Sequence, residues 1–129
     1  MKSRKLRILV IDDDAVVRTA VSLALRAAGY ETILAADGGE GLAQYRANPA
    51  DLIITDLFMP EHEGLEMIVE VRKDFPTVPI LAISGGREVS STMLTVAAQI
   101  GATDVLLKPF DSETLVGRVQ KLLGFPRAA

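Results

Sequence analysis

Carboxylates, a hydroxyl and a lysine stand at the ends of short apolar runs in this chain, and these are the groups through which it could do chemistry. The run 6–11 ends in Asp12-Asp13-Asp14, the run 52–55 in Asp56, 80–83 in Ser84-Gly85-Gly86, and 105–107 in Lys108-Pro109-Phe110. Three or four carboxylates brought together repel one another and raise their own pKa values unless a cation sits among them. A hard divalent ion with oxygen ligands answers that need. Mg²⁺ suits it, because it accepts a few carboxylates and keeps waters for a phosphate. Lys108 adds a point charge for a phosphoryl oxygen and Ser84 a hydroxyl donor, which makes the set one for phosphoryl transfer. An aspartate in such a place also serves as the N-cap of the next helix. Asp14, just before Ala15-Val16-Val17, is read as a cap; what distinguishes the others is that acid pair, single acid, hydroxyl and Lys-Pro fall in order at four separate run ends.

These groups can meet only if the runs are parallel strands of one sheet. A fifth run, 32–36, completes the series, and most of the five are nearly continuous in Val, Ile and Leu, as strands covered on both faces should be. The covering helices are legible as apolar stripes: Val17, Val21, Ala24 and Ala28; Leu65, Ile68 and Val69; Met93, Val96, Ala97 and Ile100; Leu115, Val119 and Leu122. Gly29, Asn48-Pro49, Pro76 and Gly101 stand where four helices should stop. Five βα units with right-handed crossovers give an α/β fold, a doubly wound parallel five-stranded sheet with its crevice beyond the carboxyl ends of the strands.

Composition narrows the chemistry further. The chain has 129 residues, 49% of them apolar and 24% charged, with mean hydropathy +0.28, which suits one domain with its own core. The expectation is a single domain over 1–129, with its core at about 6–123 and no effector domain. No cysteine is present, so disulfides and thiolate metal sites are excluded, and a single histidine argues against a His-rich metal centre or a Ser-His-Asp triad. With 14 basic and 17 acidic residues the net charge is −3, so neither nucleic acid nor an anionic membrane is an expected partner. The basic start, Met1 to Arg7, precedes an apolar run too short for a signal peptide or a membrane span, and a cytoplasmic location is expected.

The motifs Ile-Leu-Val-Ile-Asp12-Asp13-Asp14, Asp56-Leu-Phe-Met59-Pro60 followed by Gly64, Ile83-Ser84 and Lys108-Pro109-Phe110 together resemble the receiver domain of two-component response regulators, from Leu6 to Leu123. The resemblance implies the strand order 2-1-3-4-5 and a cis Lys108-Pro109 bond. It implies that Asp56 is the phosphoacceptor, attacking a phosphohistidine of a sensor histidine kinase or histidine phosphotransfer protein. Asp12 and Asp13 correspond to the metal-binding acid pair, with Asp56 and the backbone carbonyl of Phe58 completing the protein's share of the Mg²⁺ shell. Ser84 and Lys108 would hold the phosphoryl oxygens. Output would be phosphorylation-dependent protein–protein binding through the face around the fourth helix and last strand, by a monomer or a weak phosphorylation-dependent dimer.

Some positions depart from the family's pattern. Val105 stands where many such receivers carry an aromatic switch residue, and the segment 85–91, with two glycines, is longer than usual and offers a substitute route for coupling. Phe58 and Gly86 flank the expected water path without a side-chain hydrogen bond to offer, so slow autodephosphorylation is expected. His62, in Glu61-His62-Glu63, is read as an exposed loop residue, and Asp37-Gly38-Gly39-Glu40-Gly41 as a turn and helix start, since it lacks the Lys-Ser/Thr of a phosphate loop. Phe110 is assigned to the core. Two other classes compete. A haloacid-dehalogenase-like phosphatase would use Asp12-x-Asp14 with Asp12 as nucleophile but leaves Asp56 and Met59-Pro60 without a role; a flavin-binding module in the same crevice has few aromatic residues to stack a ring.

Overall fold

Alternation within apparently continuous apolar runs is what divides the core in two. In β1 (Arg7–Ile11) Leu9 and Ile11 face one side of the sheet while Ile8 and Val10 face the other, and Ile53 is opposed in the same way by Leu52 and Ile54 in β3 (Leu52–Asp56). In β4 (Ile80–Ser84) Ile80 and Ala82 join the first side, Leu81 and Ile83 the second. β2 (Glu31–Ala35) and β5 (Asp104–Leu107) are the edges of a five-stranded, fully parallel sheet in the order β2-β1-β3-β4-β5. The computed structural model describes residues 5–57, 63–85 and 91–124, without the side chains of 63 and 91–94.

Five helices cover the two faces. α1 (Ala15–Ala27) and α5 (Ser112–Leu123) supply Val21, Leu25, Leu115 and Val119 to one face. α2 (Gly38–Ala47), α3 (Glu63–Asp74) and α4 (Ser91–Ile100) supply Tyr45, Met67, Ile68, Val71 and Ala97 to the other. The helix ends fall where the stop signals predict, and the Lys108-Pro109 bond is cis. Asp14 caps α1 by accepting from the Val16 and Val17 amides, and Asp37 caps α2 by accepting from the Glu40 amide at 2.7 Å, so the glycine-rich segment is a helix start.

The boundaries differ from expectation in informative ways. β2 lies one residue earlier than 32–36, because the Ala36 amide, just before the Asp37 cap, turns to the Glu40 carboxylate at 3.3 Å. β3 and β4 extend to include Asp56 and Ser84, so both are held by sheet backbone rather than by loop. Val69 belongs to no core stripe: it is 40% exposed, and the buried face of α3 runs through Met67, Ile68 and Val71. Met93 lies outside the described side chains. α2 docks through Gly38, Gly41, Leu42 and Tyr45, a face with too few large apolar residues to stand out in the sequence, and the Tyr45 ring meets Phe75 edge-on at 4.8 Å between centroids.

Candidate functional site

Parallel pairing delivers the chemistry-bearing residues to one edge of the sheet. Ile11, just before Asp12, pairs with Thr55, just before Asp56; Asp56 pairs with Ile83, and Ser84 with Leu107, just before Lys108. Carboxylate oxygens of Asp12, Asp13 and Asp56 lie within 4.8 Å of one another. Lys108 reaches between the strands and places its ammonium 3.2 Å from Asp56 Oδ2 and 3.4 Å from Asp12 Oδ2. Asp12 and Asp56 are almost inaccessible, at 2% and 5% exposed, whereas Asp13 faces solvent.

One ammonium cannot neutralise three carboxylates. Burial, followed by the charge of Asp56, pushes the Asp12 pKa up against the lowering effects of the Asp14 amide and Lys108. Burial works against the charge of Lys108, but Asp56 and Asp12 outweigh it and raise its pKa, so the ammonium is held charged. Ser84 is fully buried, and its hydroxyl has no hydrogen-bond partner among the described residues. Leaving such a group unpaired costs about 1–3 kcal/mol. Three carboxylates beside one ammonium, and a buried hydroxyl with no partner among the described residues, fit a divalent cation carrying an oxyanion, with Asp12, Asp13 and Asp56 as the residues that could hold the metal.

The backbone around the site is tightly packed. A Cβ at Gly64 would collide with the main-chain oxygen of Asp56, and one at Gly85 would come within 2.7 Å of Lys108 Cβ. Both glycines therefore let a functional residue take its place. Arg18, which the sequence reading passed over, donates from Nη1 to the Asp12 carbonyl at 2.6 Å. Its only sequence signal is a basic residue in the first turn of the helix after the acid pair. Val105 is half-buried against the core of the α2, α3 and α4 face, its carbonyl accepting from Arg118 at 3.2 Å, and Phe110 packs partly buried on the opposite face. Phe58, Met59, Pro60, His62 and Gly86 lie outside the described residues.

The fold is thus that of a doubly wound α/β domain, a parallel sheet whose carboxyl edge gathers an acid cluster and a lysine. The chain belongs to the response regulator receiver domain family, whose model matches residues 8–120. It is similar to a probable transcriptional regulatory protein of Picosynechococcus (38% identity, 94% of this chain and 50% of the relative). The alkaline phosphatase synthesis transcriptional regulatory protein SphR of Synechococcus elongatus is 39% identical, over 91% of this chain and 48% of that protein. Among solved structures, chemotaxis protein CheY4 of Vibrio cholerae superposes with a TM-score of 0.86 at 37% identity, covering 93% of this chain and all of that one. The chain spans about half the length of the curated relatives it matches. Membership of a two-component signalling family removes the phosphatase and flavin alternatives.

Proposed function

We propose that this domain is a phosphoacceptor that takes a phosphoryl group from a phosphohistidine of a sensor histidine kinase or histidine phosphotransfer protein onto Asp56, in the cytoplasm. The observation that carries the reading is the Lys108 ammonium placed between Asp56 and Asp12 within an acid cluster that it cannot neutralise. An Asp56 carboxylate oxygen attacks phosphorus, the P–N bond breaks, and the departing imidazole nitrogen keeps the electron pair and takes up a proton. Asp12, Asp13, Asp56 and the Phe58 carbonyl would hold Mg²⁺, which when bound neutralises charge on the phosphoryl oxygens. Lys108 and the Ser84 hydroxyl then hold those oxygens after transfer, so that the protein contributes positioning and charge more than covalent chemistry.

Output is assigned to protein contacts made by the face around α4 and β5, where Leu107 is exposed at the sheet edge. The names of the relatives describe transcriptional regulators, which fits a domain that reports phosphorylation to a separate output function. The test is adduct formation with acetyl phosphate or beryllofluoride in the presence of Mg²⁺, read by intact-mass spectrometry or ¹⁹F NMR. The native protein is expected to form the adduct and Asp56→Asn to form none; an adduct on Asp56→Asn would overturn the assignment.

A further inference from the structure

A cation in the first turn of a helix opposes the helix dipole, so a basic side chain placed there calls for a local partner. Arg18 is such a residue. Its amide donates to the Asp14 carbonyl at 2.9 Å, which fixes it one turn into α1. Helical side chains lean toward the N-terminus, and this one runs back over the β1–α1 turn. There Nη1 donates to the Asp12 carbonyl at 2.6 Å, a short charge-assisted bond in a partly buried setting. Among the described residues no carboxylate lies within ion-pair distance of Arg18.

That carbonyl belongs to the peptide joining Asp12 to Asp13. Asp12 is already held by its other polar groups: Oδ1 accepts from the Asp14 amide at 2.9 Å, Oδ2 meets Lys108, and its N–H donates to the Ala35 carbonyl at 3.2 Å. Asp13 is exposed and has no side-chain partner among the described residues, so the backbone alone sets its direction. We propose that Arg18 is a positioning residue for the metal site: by clamping the Asp12–Asp13 peptide, it keeps the Asp13 carboxylate turned toward those of Asp12 and Asp56. The proposal rests on reading the acid cluster as a divalent-cation site.

Two opposing effects make it testable. As a mere positive charge near the acids, Arg18 would weaken cation binding, and its removal would tighten it. As a clamp, it strengthens binding, and its removal loosens the site. Calorimetric titration of Mg²⁺ into the native chain, Arg18→Met and Arg18→Lys, with thermal midpoints in EDTA to show that each is folded, separates them. Arg18→Met is expected to bind Mg²⁺ about tenfold more weakly, as outer-shell changes do, with Arg18→Lys recovering part of the loss. Unchanged affinity with only a lowered midpoint would reduce Arg18 to a structural tie, tighter binding would reduce it to a charge, and either overturns the proposal. Native protein that binds no Mg²⁺ would overturn the metal-site reading itself and this inference with it.

Discussion

Gly64 and Gly85 show how much of this site is decided by atoms that are missing. At Gly64 the atom in the way is backbone, the Asp56 carbonyl, which cannot step aside without moving β3 or α3. Gly64→Ala is expected to destabilise the fold by about 1–3 kcal/mol, as overpacking does, measurable as a lowered denaturation midpoint. At Gly85 the obstacle is the stem of Lys108, at 2.7 and 2.8 Å from the added carbon. Gly85→Ala is expected to keep most of the stability but to displace the ammonium. A misplacement of about 1 Å can cost on the order of a hundredfold in rate, so phosphorylation from acetyl phosphate should slow at least tenfold, by about 1.4 kcal/mol. A variant that reacts at the native rate would show that Lys108 tolerates the shift.

Elements carry these residues to the edge, and their ends are fixed by local chemistry. Asp111 caps α5 directly after Lys108-Pro109-Phe110, accepting from the Thr114 amide at 2.7 Å. That backbone hydrogen bond, with one from the Thr114 side chain, holds the Asp111 carboxyl below its ordinary pKa. For a depressed carboxylate the stabilisation is present above the unfolded-state pKa and fades as pH falls through the lower folded value. The thermal midpoint of Asp111→Asn should therefore lie below that of the native protein at about pH 6, and the gap should narrow as the pH is lowered past the ordinary aspartate value of about 3.9. A gap that stays constant would mean that the cap acts through shape rather than charge. At the other edge of the sheet, Gln44 donates to the Leu34 carbonyl at 3.0 Å and Glu40 accepts from the Ala36 amide, so α2 side chains occupy polar groups in and just after β2 that β1 does not use.

Across the whole molecule, the fold concentrates like charge at one edge of the sheet, where Asp12 and Asp56 are nearly inaccessible to water. A bound divalent cation would relieve that repulsion only in the folded state. Mg²⁺ at about 100 times its dissociation constant should stabilise by about 2.7 kcal/mol, seen as a thermal midpoint that rises with Mg²⁺ and returns on adding EDTA; a midpoint indifferent to Mg²⁺ would count against a metal at this cluster. The sequence alone determined the five βα units, because nearly continuous Val-Ile-Leu runs with helical stripes between most of them have few other ways to bury their surface. It also marked Asp12, Asp13, Asp56, Ser84 and Lys108, because each stands within two residues of the end of such a run. The inward face of α3 was misjudged at Val69 and the docking of α2 was illegible, since three residues make a poor stripe and Tyr45 finds Phe75 only across the fold. Tertiary structure alone decided that Lys108 bridges two acids from 52 and 96 residues away and that Arg18 turns back onto the Asp12 carbonyl. Register and side-chain direction set those distances, and neither is encoded in residue type or spacing along the chain.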